Sequence, residues 1–274
     1  MKRSKGTSSY KPSRMNRRVV EGLMGLAVTL FFVFIRVTGG FDFLGVLETK
    51  AFDVRARIAA HRDKSPHIEL VVIGDEDLSE LGPFPWPRHI LARGIANLSL
   101  AGAKVIALNI PFSRPEMDPG FVALKRLRER YEVLGLGQQG SGLEFYEELS
   151  KTEKDLDNDA KLYRSLKEAE NTVLPVTFDE SGKGPDEVRP DFMAAHAFKR
   201  IREGNRGEDP PTPRRFRRVK PIVHAFAEAA AGMGYNNFFP GPDGHIRNQI
   251  HAVGYSGDLY YPSFPLTIVK VFKG

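Results

Sequence analysis

The chain has 274 residues, 41% of them hydrophobic, enough to bury a core of ordinary density in one large domain or two small ones, which excludes disorder throughout. It contains no cysteine, which excludes disulfides, thiolate nucleophiles and zinc–thiolate sites. The formal charge of +6 is concentrated in residues 1–18, which hold seven basic and no acidic residues; removing those seven leaves 33 basic against 34 acidic, a net of −1, so no folded face has the excess that nucleic-acid binding requires.

The basic residues of the tail are Lys2, Arg3, Lys5, Lys11, Arg14, Arg17 and Arg18. An uninterrupted apolar run of 14 residues, 22–35, follows, bordered by Glu21 and Arg36. With those borders snorkelling outward it can just span a bilayer, for which roughly 17 to 25 residues are needed. The apolar part of a cleaved signal peptide has a similar length, but no A-x-A triplet follows Ile35. A buried core helix is seldom apolar on every face beside a basic tail. Residues 19–38 therefore read as an uncleaved transmembrane signal anchor, residues 1–18 as a cytoplasmic tail, and the remainder as lying outside the membrane, by the positive-inside bias.

Residues 41–63 read as a helix in which Leu44, Leu47, Ala51, Val54 and Ile58 follow a 3,4,3,4 spacing, a stripe that packs on its own domain or pairs with a second copy. Next come an apolar run at 68–73 with the look of a buried strand, a helix over 87–100 and a second strand over 104–110. Strand, helix and strand in this order predict a right-handed parallel crossover, hence an α/β domain with a mixed, partly parallel sheet flanked by helices. The single tryptophan, Trp86, stands between Pro85 and Pro87, the latter suited to a first helical turn.

Residues 114–170 are charged and helix-prone, interrupted by a glycine-rich turn at 134–142 that follows no strand and matches no phosphate-binding pattern. A third strand is expected at 172–178. Residues 203–221 read as an exposed loop whose Arg214, Arg215, Arg217, Arg218 and Lys220 are solvated or contact anionic lipid or wall polymer. Asp243-Gly244 suits a tight hairpin turn, the alternation over 245–255 a strand with one wet face, and the last dozen residues an amphipathic helix.

Catalytic constellations are lacking. The GYSGD stretch at 254–258 resembles a serine elbow, but Asp258 replaces the glycine that its sharp turn requires. His245 and His251, the closest pair of histidines, would lie about 20 Å apart on one strand face, too far for a single metal ion. The chain thus reads as non-enzymatic, without metal or cofactor. Asp75 and Glu76 follow the first expected strand at its carboxyl end, where open α/β sheets place ligand sites. Asn109 near the end of the second strand, Arg88 at the helix start and Trp86 as a roof can converge there on a polar ligand pocket. Alternatively, Asp75 caps a turn and pairs with Arg88 as a structural ion pair.

Several stretches, taken in order, carry a family resemblance: LETKAFDVRARI, IELVVIGDEDLSELGPFPWPRHILARGIANLSLAGAKVIALNIPF, DAKLYRSLKEAENTVLPV, PDGHIRNQ and YPSFPLTIVK. Together they resemble the CHASE sensory domains of the second type over residues 41–274. Asp75, Glu76, Trp86, Pro87, Arg88, Asp243 and Arg247 match the family pattern, whereas Asn109 stands where members usually show an acidic residue. The resemblance implies an extracytoplasmic sensory domain of a bacterial receptor, held in the cytoplasmic membrane ahead of a cyclase, kinase or other output. It further implies a small-molecule or envelope ligand, a homodimer, and an output module and last part of the domain beyond Gly274. A membrane-anchored envelope protein that holds partners without sensing is the alternative.

Overall fold

The computed structural model divides the chain into two units, Met1–Val72 and Ile73–Gly274. It describes residues 17–37, 42–60, 65–136, 140–181, 190–198, 214–220, 222–241, 243–255 and 259–274. The first unit holds helices α1 (Arg17–Val37) and α2 (Asp42–Ala59). The described side chains of α1 run from Val19 to Phe34 and are exposed except at Val20. Among the described residues no helix is long and apolar enough to cross a membrane. Leu47, Ala51, Val54 and Ile58 of α2 are exposed within this unit.

One expected strand does not form. Residues 68–73 have no ladder partner among the described residues, and Ile68, Leu70 and Val71 are 75%, 80% and 71% exposed. Apolar content favours burial, but a strand also needs a neighbour for its backbone N–H and C=O groups.

The second unit is built on β2 (Thr172–Val176), whose five residues are all buried. It lies between β1 (Ile106–Ala107) and β4 (Gly232–Tyr235), parallel to both. A parallel strand covered on both faces calls for the continuous apolar run seen here. Alternation along the strands separates the two faces. Leu174 and Val176 of β2 and Met233 and Tyr235 of β4 face a core shared with Ala92 and Ile95 of α4 (Arg88–Leu100) and Leu162 and Leu166 of α7 (Asn158–Ala169). Gly232 and Gly234 face the other way, against α10 (Phe264–Lys273). The layers are therefore helix, sheet and helix.

Between β1 and β2 the chain forms α5 (Pro119–Val133), α6 (Ser141–Leu156) and α7. Between β2 and β4 lie the short helices α8 (Phe192–His196) and α9 (His224–Ala229), with β3 (Arg215–Phe216) between them; a further short helix, α3 (Asp75–Leu81), precedes α4. A second sheet orders β3, β5 (Ala252–Tyr255) and β6 (Leu259–Pro262), with β5 parallel to β3 and antiparallel to β6. The wet-faced strand expected over 245–255 is thus confined to its last four residues. The Asp243-Gly244 turn is present, with Gly244 at φ +78° and hydrogen-bonded to Gly241 O at 2.9 Å. Bridges between Phe178 and Val219 and between Tyr235 and Ser263 seat this second sheet at the carboxyl ends of β2 and β4. Phe178 joins the two sheets, stacking on Phe216 at 5.1 Å and meeting Tyr255 and Tyr261 at 5.3 and 5.5 Å.

Helix α10 is latched to the first sheet. Ser263 Oγ caps it by accepting from Leu266 N (3.4 Å), and Thr267 Oγ1 donates toward Ser263 O (3.1 Å) or Met233 O (3.4 Å). A Cβ on Gly234 would lie 2.6 Å from Phe264 Cα and 2.8 Å from its N, both backbone atoms, so only glycine lets the helix come this close. Gly234→Ala is expected to destabilise the domain by about 1–3 kcal/mol, read as a fall in Tm of about 3–10 °C. Gly94→Ala, in open space on α4, should instead hold or gain up to about 1 kcal/mol. Beside α10, His196 Nε2 lies 3.1 Å from Ala227 O, and burial, reinforced by Lys270, lowers its pKa below the ordinary value of 6.5. A base depressed on folding gives stability that is complete above the unfolded pKa and lost as pH falls through the folded one. Tm should therefore drop on acidification below about pH 6.5, and His196→Gln should flatten that part of a melting-versus-pH series.

Candidate functional site

Three helix starts meet at one corner of the second unit. The first N–H groups of a helix lack intrahelical partners and attract acceptors. Asp118 caps α5 by accepting from Phe121 N (2.7 Å), with Pro119 next in line, and Asp157 caps α7 by accepting from Ala160 N (2.8 Å). At the start of α4, the Arg88 backbone N–H donates to Glu116 Oε2 at 2.8 Å.

The Arg88 side chain is buried at the centre of this corner. Its Nη1 pairs with Asp159, its Nη2 donates to Arg114 O, and its guanidinium lies 5.0 Å from the Phe226 ring centroid and 5.5 Å from that of Phe112. Asp159 also accepts from Glu116 N at 3.1 Å, and the second oxygen of Glu116 accepts from Asn158 Nδ2 at 2.9 Å. His89 Nδ1 lies 3.1 Å from Asn158 Oδ1. A buried cation is tolerable only when paired and hydrogen-bonded this fully.

Against this network lies a cavity of about 410 Å³, within the size range of small-molecule pockets. Met117, Phe121, Val122 and Leu156 give it an apolar wall; Lys125, Arg126 and Glu129 supply further charge. The carboxylates of Glu116, Asp118, Asp157 and Asp159 on its lining are engaged with helix starts and with Arg88. The arrangement can hold and orient a small amphipathic molecule. Among the described residues no group of three histidine, aspartate or glutamate side chains could hold a metal ion.

The residues singled out from the sequence fall at separate places. Arg88 is central to this corner, and its partner is Asp159 rather than Asp75. Asp75 and Glu76 form the exposed first turn of α3, because the strand expected before them is absent; Gly74 N donates to Asp77 Oδ2 at 2.8 Å there. Trp86 is half-buried, donates from Nε1 to Gly82 O at 2.8 Å and meets the Phe84 ring at 6.1 Å. The Phe84–Pro85 peptide beside it is cis. Asn109 stands past the end of β1, where its Oδ1 accepts from Asn236 Nδ2 at 3.1 Å and Asn236 Oδ1 accepts from Thr177 Oγ1 at 2.7 Å. Asp243 and Arg247 make a bidentate pair at 2.8 and 2.6 Å across their turn. The Arg247 hydrogen bonds hold the Asp243 carboxyl far below the usual range.

Sequence reasoning passed over Glu116, Asn158 and Asp159. The signal was present in Asp118-Pro119 and Asp157-Asn158 at the heads of charged, helix-prone segments, a pattern of helix starts.

The second unit is a mixed α/β domain with a cavity beside a buried ionic network. The family model of the CHASE2 domain matches residues 27–273, nearly the whole chain, and the chain belongs to the CHASE2 domain family, whose members are sensory domains of signalling receptors. No curated protein and no solved structure matches it.

The Arg88–Asp159 pair generates a quantitative expectation. Asp159→Asn leaves the buried guanidinium without its carboxylate and should destabilise the domain by about 2 kcal/mol or more. Arg88→Met combined with Asp159→Asn should be less destabilised than the sum of the single variants, a coupling of about 1–3 kcal/mol in a urea-unfolding double-mutant cycle.

Proposed function

We propose that this chain is the input domain of a membrane-bound bacterial receptor, with residues 19–38 as anchor, residues 1–18 in the cytoplasm and residues 41–274 outside. The observation that carries this reading is membership of a sensory family combined with the close attachment of α10 to β4. The anchor in this reading rests on the sequence, a 14-residue apolar run behind seven basic residues. An unidentified small molecule or envelope component occupies the cavity beside Arg88. Its binding biases two arrangements of a dimer. Helix α10 passes the change on, because it is capped at the joint between the two sheets and packs directly on the β4 backbone at Gly232 and Gly234. The domain itself carries out no catalysis and needs no cofactor.

Alkaline phosphatase fused after Gly274 tests the topology. The fusion should be active outside the cytoplasm and lose that activity when residues 1–38 are deleted. An inactive but stably produced fusion would refute the extracytoplasmic placement.

A further inference from the structure

The hairpin of α5 and α6 is held together from within. Arg128 bonds to Glu153 and to Glu132, the Tyr131 ring lies 5.5 Å from Phe145 and 6.4 Å from Tyr146, and Tyr131 Oη donates to Gly142 O at 3.0 Å. One long side of it is uncovered. Along α5 and its C-cap residue, Ala123, Leu127, Arg130 and Leu134 recur at spacings of 4, 3 and 4, and all are exposed. Along α6, Phe145, Glu148 and Thr152 do the same at 3 and 4. Leu127, Leu134 and Phe145 are 49%, 59% and 49% exposed. At 100° per residue in an antiparallel pair, both stripes fall on the same side of the hairpin, away from Phe121, Lys125 and Arg126, which line the cavity.

Charge identifies what covers this side. Helix α5 has four basic and two acidic residues, whereas α6 has five acidic and two basic. A second copy related by a two-fold axis parallel to the helices places α5 over α6 of the other hairpin, opposite charge on opposite charge, in an antiparallel four-helix arrangement. An axis across the helices would set α5 on α5, with like charges opposed. The contacts of Arg128 with Glu153 and of Tyr131 with Tyr146 set the level of one helix against the other. The parallel axis then brings Arg130 opposite Glu148 of the second copy and Leu134 opposite Phe145.

We propose that the exposed side of the α5–α6 hairpin is a homodimer interface, each α5 packing on the α6 of a second copy. The face covers roughly 450 Å² per copy, from a 15-residue helix and a spacing near 10 Å. A total of about 900 Å² lies at the low end for specific interfaces. Such contact is weak in free solution and becomes effective when both copies are confined, as an anchor would confine them. It is therefore suited to being made and broken by a ligand. The inference deepens the dimeric receptor reading and fails separately from it.

The chain has no cysteine, so introduced thiols report pairing without background. The full chain carrying Leu134→Cys and the full chain carrying Phe145→Cys are reconstituted together in vesicles and mildly oxidised. A covalent dimer should form in the mixture and with neither variant alone. No covalent dimer in the mixture, or self-linking of Leu134→Cys, overturns the interface. If the unlinked protein still sediments as a dimer, only this interface has failed; a monomer ends the dimeric reading as well. As a second check, Arg130→Glu or Glu148→Arg should each weaken dimerisation about tenfold, through two symmetry-related ion pairs, and the double reversal should restore it. Variants that each reverse without mutual rescue would overturn the pairing.

Discussion

The structure depends on the burial of one short strand on both faces. Every side chain of β2 is withdrawn from water, and an apolar strand of this kind is stable only between two layers that exclude solvent. That demand places α4 and α7 on one face and α10 on the other. It also explains the two glycines of β4. With β2 filled by Val173 and Pro175 on the α10 side, the neighbouring strand leaves room for a helix only by omitting side chains at Gly232 and Gly234. The helix that a receptor would use as its output is thus tied to the most deeply buried part of the domain by contacts with little slack.

The second sheet changes where a ligand can go. In an open α/β sheet the crevice past the carboxyl ends of the strands is available. Here the ends of β2 and β4 are capped by the aromatic cluster around Phe178, and Asn237 strengthens the cap by pairing its side-chain amide with both Phe178 N (2.8 Å) and Phe178 O (2.9 Å). What stays open at that edge is the small amide cluster of Asn109 and Asn236. The cavity has moved to the corner where α4, α5 and α7 begin. Its acidic residues look like a binding constellation when counted, yet Glu116, Asp118, Asp157 and Asp159 each have a structural partner: a helix start, the buried guanidinium or both. This is why charge alone describes the cavity poorly, and why its apolar wall, with Lys125 and Arg126, distinguishes it from an acidic cluster.

The α5–α6 hairpin obeys a different logic from the core. Its stability comes from contacts between its own two helices, and its outward stripe stays largely exposed, with only Phe145 turning an edge to Tyr131. Exposed leucine and phenylalanine at helical spacing, flanked by charges of opposite sign on the two helices, is a pattern that pairing between copies satisfies. The cavity borders the same α5 helix on its other side.

A family resemblance gave the family, and periodicity, composition and local chemistry made much of the rest legible from residues alone: the α/β class, the apolar helix after the basic tail, α4 starting behind Pro87, the charged helical stretch before β2 without its break at Asp157, the third expected strand and the amphipathic α10. These are features that neighbours in sequence determine, through the 3.6-residue repeat, proline and glycine geometry, and capping. Residues 68–73 show the limit, for their apolar content was plain while the strand they promised required a partner that sequence does not name. Likewise Arg88 was identifiable as important, but its carboxylate was not. Asp75 lies 13 positions away and Asp159 lies 71, and which of them neutralises a buried cation is decided by how helices pack. The tertiary structure also decided that a second sheet closes the carboxyl edge and that the cavity lies among helix starts, because both rest on contacts between residues far apart in the chain.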